Sequence, residues 1–311
     1  MPFTKIESAI EAIARGDMVI VVDSVDRENE GDLIIAAEKM TPEAMAFMIR
    51  HTSGVICMPV EGHRLDELRI PLMVAENTES QRTAFTVSVD ARHGTTTGIS
   101  AGDRCATVHS ILDEHTLPED LARPGHIFPL RYREGGVLTR AGHTEASVDL
   151  ARMARLQPAG VLAEVVNEDG SMARGPDLVR FAKEHDLQII SIAHLIRYRR
   201  QREKLVRRIS EARIPTKYGE FTAYVFESLL DGTEHMAFVR GDVAGEENVL
   251  VRVHSECLTG DVFGSMRCDC GLQLDLAMER WHRARREIDT PLTAEDDLRR
   301  EILVLRQRAA F

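Results

Sequence analysis

Two short runs rich in β-branched residues, MVIVVD (Met18–Asp23) and LIIAA (Leu33–Ala37), are separated only by the charged stretch SVDRENEGD. Each run is too short for a stable helix and too apolar for the surface, so both read as buried strands. The chain is thereby committed to a sheet with Asp26, Glu28, Glu30 and Asp32 crowded into one connection. Those carboxylates repel one another unless they are solvated or share a cation. On composition alone, a solvated hairpin loop and a hard-metal and polyol site weigh about equally. Carboxylate oxygens suit Mg2+, and Arg27 can hold an anion.

Strand and helix signals alternate along the next part of the chain. Residues 4–15 are expected to form a helix: Thr4 and Glu7 make a T-x-x-E capping box, Ile6, Ile10 and Ile13 share a face, and Gly16 ends it. Thr41-Pro42 opens another helix. Further strands are expected at 54–60, 85–89, 160–166 and 187–192. Helices are expected from Ser100 to His115, from the glycine-rich loop to about Leu156, and over 176–185. This alternation predicts an α/β or α+β domain of about 200 residues. Beyond it, YRRQREKLVRRISEAR (198–213) is charged and periodic and predicts a connecting helix.

The formal charge is −11, and neither half of the chain is basic, which argues against a general nucleic-acid binder. No apolar run approaches the ~18 residues of a membrane span. The N-terminus, MPFTKIESAI, does not read as a signal peptide, so a cytoplasmic location without membrane contact is expected.

Arg140-Ala141-Gly142-His143-Thr144-Glu145 follows Gly135-Gly136 and leads into a helix. Free N–H groups at that helix start attract phosphate, and Arg140 adds charge-assisted hydrogen bonds. Taken alone, the segment reads as a plain glycine loop with a helix cap. Glu164 is more telling, because it interrupts VLAEVV, where a carboxylate is costly to bury unless partnered or functional. His126, in RPGH, reads equally as an ordinary loop histidine. Cys57, in VICMPV, reads as a packed core thiol. Phosphate-loop, dinucleotide, zincin and nucleophile-elbow motifs are absent.

Together, VVDSVDRENEGDLIIAAE, RPGHIFPL, GGVLTRAGHTEASVDL and PAGVLAEVVNEDGSMAR resemble the 3,4-dihydroxy-2-butanone 4-phosphate synthases of riboflavin biosynthesis. The resemblance runs in order and spacing from about residue 5 to 200. It implies an α+β fold, with a mixed β-sheet core and flanking helices. It implies a homodimer with active sites at or near the subunit interface. It also implies a required Mg2+, for which Mn2+ sometimes serves, and conversion of ribulose 5-phosphate to the butanone phosphate plus formate. Carried over residue by residue, the metal ligands are Glu28 and His143. Arg27, Glu28, Asp32, Glu164 and Arg140, Ala141, Gly142, His143 and Thr144 bind the phosphosugar. His126, Glu164 and Asp32 are the catalytic candidates, and Cys57 matches a cysteine near the pocket.

The C-terminal third presents C-x10-C-x-C at Cys257, Cys268 and Cys270. Three thiolates with an open fourth position suit Zn2+. The segment resembles the zinc motif of GTP cyclohydrolase II. That implies zinc at the three cysteines and GTP contacts from Arg252, Val253, His254, Ser255, Glu256 and Gln273. The pattern stops after about Met278, and the text turns Arg-rich, which is expected to mark a truncation or a frame change. The expected domains are a synthase at 1–200, a helical linker at 201–212, an incomplete α/β cyclohydrolase II-like segment at 213–279 and a divergent helical tail at 280–311. In that tail Thr293 and Asp296 resemble a cap, Leu298, Ile302 and Leu305 a helix stripe, and no strand is visible. The leading expectation is a lyase whose second part does not process GTP. The alternatives are a bifunctional enzyme that also opens GTP, and a non-catalytic zinc-stabilised assembly module.

Overall fold

The structure, a computed structural model, describes residues 3–247, 249–288 and 301–306. The chain divides into two compact units, Met1–Glu203 and Lys204–Phe311. The elements of the first are α1 (Ile6–Arg15), β1 (Val19–Val22), β2 (Gly31–Ala36), α2 (Pro42–His51), β3 (Cys57–Val60), α3 (Gly62–Glu67), β4 (Val89–Ala91), α4 (Ala101–Leu112), β5 (Leu121–Arg131), α5 (His143–Met153), β6 (Gly160–Glu164), α6 (Pro176–Glu184), β7 (Gln188–Ser191) and α7 (Ile192–Arg202). Seven strands form one mixed sheet in the order β4-β5-β3-β6-β2-β1-β7.

The near-continuous apolar strands follow from burial on both faces. Ile20, Val22, Leu33, Ile35, Val161 and Ala163 point to a core covered by α2, α4 and α6. The alternate residues Val19, Val21, Ile34, Ala36 and Leu162 point to a second core, where Ile13 of α1, Leu150 of α5 and Leu195 of α7 pack. The period-2 alternation of a strand therefore assigns each residue of β2 and β6 to a definite layer. This mixed sheet with flanking helices is the expected architecture.

Some local expectations change. Thr4 does not cap α1. Lys5 takes the N-cap position with no side-chain bond, and Thr4 instead exchanges hydrogen bonds with Ile189 of β7. A tertiary strand contact outcompetes the local cap. Around residue 85 only isolated bridges form, and the strand proper begins at Val89. The partner of Thr86 is Pro129, which has no N–H to continue a ladder.

The second unit comprises β8 (Val206–Thr216), β9 (Gly219–Ser228), β10 (Glu234–Arg240), β11 (Leu250–Ser255), α8 (Cys270–Ile288) and β12 (Glu301–Arg306), with sheet order β11-β12-β10-β9-β8. The expected helical linker at 201–212 is a correction: helix ends at Arg202 and strand begins at Val206. Hairpin pairing of β8 with β9, closing at Thr216 and Gly219, overrides the local preference. The charges that suggested a helix lie along an edge strand, where they discourage further pairing. The expected all-helical tail is corrected too. Its first part continues α8 to Ile288, but residues 301–306 form a strand between β10 and β11. Ile302 and Leu305 thus belong to a sheet, while Thr293, Asp296 and Leu298 lie outside the described residues.

Candidate active site

Asp23, at the end of β1, organises the acidic loop. Its side chain is almost fully buried and accepts the backbone N–H groups of Glu28 and Glu30, each at 3.0 Å, and Nη1 of Arg27 at 3.0 Å. Three donors converging on one carboxylate close the loop back onto the sheet, each contributing roughly 1.5–3 kcal/mol as charge-assisted bonds. The same Arg27 nitrogen reaches Oε2 of Glu28 at 2.5 Å. Sequence reasoning counted Asp23 only as the end of a strand.

Asp32 and Glu164 are direct cross-strand partners of β2 and β6. Both lie on the face of the α5-side core, two residues from Ile34 and Leu162, and Cys57 on β3 belongs to that same core. His143 comes down onto that face from the first turn of α5. Its Nδ1 lies 3.6 Å from Oε2 of Glu28 and 3.6 Å from Oδ1 of Asp32. Its Nε2 lies 3.1 Å from the carbonyl of Val21 and donates to it. That bond directs Nδ1 toward the carboxylates, as second-shell bonds do in metal sites.

The electrostatics are those of a dry, crowded site. Burial, helped by Glu164, Glu28 and Glu30, pushes the Asp32 carboxyl up to about 7 against the pull of His143. Its Oδ1 is buried with no hydrogen-bond partner among the described residues. The hydrogen bond from His143, together with the charge of Arg27, holds Glu28 below the usual carboxylate range. Burial alone would lower His143, but Asp32 and Glu28 outweigh it and hold the imidazole above its ordinary value. Burial and the Glu164 and Asp32 charges push the Cys57 thiol well up, so it stays protonated. Ligand atoms of Asp23, Glu28 and His143 lie within 4.8 Å of one another. Since the Asp23 oxygens already hold donors, Glu28, His143 and the orphaned Asp32 oxygen are the groups that fit a divalent cation. Such an ion would take the place of the proton on Nδ1.

His126 stands in a separate cluster. Its backbone N–H donates to Oδ1 of Asp90 at 2.8 Å, and Nδ1 bonds Oδ2 of Asp90 at 2.7 Å. Asp90 thereby fixes the ring through Nδ1, and Nε2 has no hydrogen bond among the described residues. Glu164 keeps one oxygen on the hydroxyl of Ser53 at 2.6 Å. Asp90 and Ser53 gave no signal in the sequence, because their partners lie 36 and 111 residues away.

The Arg140–Thr144 segment lies beside a cavity of about 470 Å³. Gly142 is the N-cap of α5, and a Cβ there would meet Nη1 of Arg140 at 2.3 Å and Oε2 of Glu145 at 2.8 Å. Only glycine lets that ion pair cross the helix start. Behind it, Asp149 accepts the N–H of Val137 at 2.9 Å, the hydroxyl of Tyr132 at 3.1 Å and Nη1 of Arg199 at 2.7 Å. This buried network pins the Gly135-Gly136 turn. Gly136 has φ +63°, and a Cβ would meet Asp149 at 2.2 Å.

In the second unit, Cys257, Cys268 and Cys270 converge within 4.8 Å, with 3.7 Å between the first two sulfurs. The hydroxyl of Thr259 and neighbouring donors lower the Cys257 thiol to about 7, while Cys268 and Cys257 raise Cys270 to about 11. The readily ionised Cys257 and two convergent thiols beside it form a donor set that suits a soft divalent ion. Arg252 bonds Gln273 at 2.7 Å, and both line a cavity of about 500 Å³ with Val253. His254 is buried and bonds Asp261 at 3.0 Å, which also accepts the Cys257 N–H at 2.8 Å. It braces the thiol loop, and neither it nor Ser255 or Glu256 lines that cavity.

The family model for 3,4-dihydroxy-2-butanone 4-phosphate synthase matches residues 7–198, and that for GTP cyclohydrolase II matches residues 207–288. The bifunctional riboflavin biosynthesis protein RIBA 1, chloroplastic, of Arabidopsis thaliana is 60% identical over 280 residues, covering 89% of this chain and 52% of its own length. The chain spans about half the length of the plant relatives it matches. RibBX of A. baumannii, a two-domain 3,4-dihydroxy-2-butanone 4-phosphate synthase, superimposes with a TM-score of 0.78 at 38% identity, over 99% of this chain and 83% of that one. A 3,4-dihydroxy-2-butanone 4-phosphate synthase in complex with two magnesium ions gives 0.62 at 43% identity, over 64% and 98%.

Proposed function

Because the chain belongs to the 3,4-dihydroxy-2-butanone 4-phosphate synthase family, we propose that its first unit converts ribulose 5-phosphate to 3,4-dihydroxy-2-butanone 4-phosphate and formate. The observation that carries this reading is the buried Oδ1 of Asp32, without a hydrogen-bond partner among the described residues, 3.6 Å from His143 and directly opposite Glu164 on the neighbouring strand. A buried carboxylate oxygen without a donor is costly, and such a group is retained where a ligand or cation completes it. Glu28 and His143 are the proposed holders of Mg2+ or Mn2+. Bound there, the cation supplies Lewis acidity toward a ketone and its neighbouring hydroxyls.

The chain's own groups account for the proton traffic. Asp32, poised at about 7, exchanges a proton near neutrality, which suits removal of the C3 proton and its later return. Glu164 is the second acid/base candidate, oriented by Ser53. His126, held by Asp90, is the third, with Nε2 available. Arg27, linked to Asp23 and Glu28, orients the acidic loop over the sugar. Thr144 and the helix start beside it receive the phosphate.

The test is metal-dependent formate release from ribulose 5-phosphate by wild type, His143→Ala, Asp32→Asn and Glu164→Gln. Each variant is expected to lose roughly 10²–10⁴-fold in kcat/KM. Activity of His143→Ala equal to wild type would remove the metal assignment. Near-native activity of both carboxylate variants would remove the acid/base assignment.

For the second unit we propose a zinc site on Cys257, Cys268 and Cys270 that does not open GTP. The support is that the cyclohydrolase II resemblance stops at residue 288. Formate release from GTP with Zn2+, above a metal-free control, would favour the bifunctional reading of the plant relative. A homodimer is supported by exposed Val25, Val55 and Ile99, which sit beside the site loops. A sedimentation mass of one chain would contradict it. A reducing compartment, which we take to be the cytoplasm, suits five free cysteines.

A further inference from the structure

Next to Glu164, Val165 turns into the other layer of the core. There it lines a cavity of about 550 Å³, walled by the end of α2 and by α6. Two histidines stand on that wall. His51 is the last residue of α2, and His185 is the C-cap of α6. Their ring centroids lie 4.9 Å apart with 56° between the planes. Both rings pack on Phe181, at 5.7 and 4.4 Å. Both are half-buried, and neither imidazole has a hydrogen bond or an ion pair among the described residues.

Packing alone does not account for this pair. A phenyl ring fills an aromatic cluster without polar atoms, whereas adjacent imidazoles leave ring nitrogens to be solvated or bound. Burial, with His185 and Arg50, holds His51 below its ordinary value against the pull of Glu184, so the ring is neutral near pH 7 and keeps a lone pair to donate. The cavity also favours cations. Its rim carries the carboxylates of Glu168, Asp169, Asp177 and Glu184 against the guanidinium of Arg180, itself paired with Asp177 at 2.8 Å. Two imidazoles on one tetrahedral ion, with metal–nitrogen bonds of about 2.0–2.1 Å, have tilted planes and ring centres roughly 5 Å apart. The observed separation and tilt match that arrangement. Among the described residues no third side-chain donor joins the pair, so water fills the remaining positions and the rim acts through its charge.

We propose that His51 and His185 form a further metal site, for a borderline divalent cation such as Zn2+, and that its occupation bears on Glu164. Imidazole nitrogens select such ions over Mg2+. The link to Glu164 is short. Ser53, two residues beyond His51, donates its N–H to the carbonyl of Glu164 at 2.8 Å and its hydroxyl to Oε2 at 2.6 Å. The N–H of Val166 bonds the carbonyl of His51 at 3.3 Å. An ion that draws the two rings together pulls the 51–53 segment toward α6 and shifts the hydroxyl that orients the Glu164 carboxylate. The effect on catalysis rests on the synthase reading above; the metal site itself does not.

The experiment titrates Zn2+ by calorimetry into the full-length, Mg2+-saturated protein, for wild type, His51→Phe, His185→Phe, the double variant and Cys268→Ser. Phenylalanine keeps the ring packing, and thermal unfolding of the metal-free variants serves as the control for folding. Wild type is expected to bind one Zn2+ per chain in a class weaker than the thiol site. Each single variant is expected to weaken that class by at least the roughly 10–100-fold that loss of an outer-shell partner costs. The double variant is expected to lack it, and Cys268→Ser to retain it. Persistence of the weaker class in the double variant would overturn the site. At concentrations that fill this class, Zn2+ is expected to lower kcat for formate release roughly 10-fold in wild type, as displacement of a positioned acid/base group does, and to leave the double variant unaffected. Equal inhibition of both would place the effect at the Mg2+ position and overturn the link to Glu164. Zn2+ binding that depends on both histidines, in a protein releasing no formate from ribulose 5-phosphate, would sustain the site and remove the synthase reading.

Discussion

At the scale of single residues, the candidate site depends on groups that hold its loops and side chains in place. Asp23 is one. Replacing it by Ala removes the acceptor of the Glu28 and Glu30 N–H groups and leaves Arg27 paired with Glu28 alone. Mg2+ affinity is expected to fall roughly 10–100-fold by calorimetry, although Glu28 and His143 remain. Wild-type affinity in Asp23→Ala would show that the loop closes without it. Gly142 is another. Gly142→Ala is expected to destabilise the first unit by about 1–3 kcal/mol in denaturant unfolding, because a Cβ meets the Arg140–Glu145 pair. Glu28, Asp32, His143 and Glu164 were legible because their segments carry the family motifs, and because a carboxylate inside VLAEVV stands out. Asp23 and Asp90 were not. What a carboxylate accepts depends on how remote segments close around it, and no spacing in the chain encodes that.

At the scale of elements, the layered core was legible wherever apolar runs exceeded what one face requires. Strand borders and the region near residue 200 were less so. VRRISEAR carries as much helical as extended character, and only its antiparallel partner β9 decides between them. The 77–83 loop offers a test by pH. Against some burial, hydrogen bonds from Gln81, Thr83 and Ser80 hold Glu79 down at about 2, from an ordinary value of 4.5. A carboxyl with a depressed folded pKa contributes stability that is complete above its unfolded pKa and is lost as pH falls through the folded one. Amide protection of Gln81 and Thr83, corrected for intrinsic rates, is therefore expected to decline between about pH 4.5 and 2. Glu79→Gln should lack it at every pH. Protection independent of pH in wild type would show that another group holds the loop. The buried Asp149–Arg199 pair behaves differently, since breaking it strands a charge. Arg199→Met is expected to cost about 3–5 kcal/mol in denaturant unfolding, against about 0–1 for the exposed Arg15–Asp17 pair.

At the scale of the molecule, two compact units with separate donor sets predict separable responses to metal. Zn2+ at 100 times its dissociation constant is expected to stabilise the unit carrying the thiols by about 2.7 kcal/mol. Cys268→Ser should abolish that shift without moving the transition of the synthase unit. A single scanning-calorimetry transition displaced by both metals would show that the units unfold as one. The sheet order of the first unit also has a consequence for synthesis. The β1–β2 hairpin is complete once Ala36 has been made, yet β6, the strand that joins β2 to β3, begins only at Gly160. During translation the free edge of β2, with Asp32 on it, waits on the order of ten seconds for its neighbour to emerge. For that interval the nascent chain exposes an unpaired strand edge at the place where the candidate site is to form, the kind of edge that invites pairing with another chain.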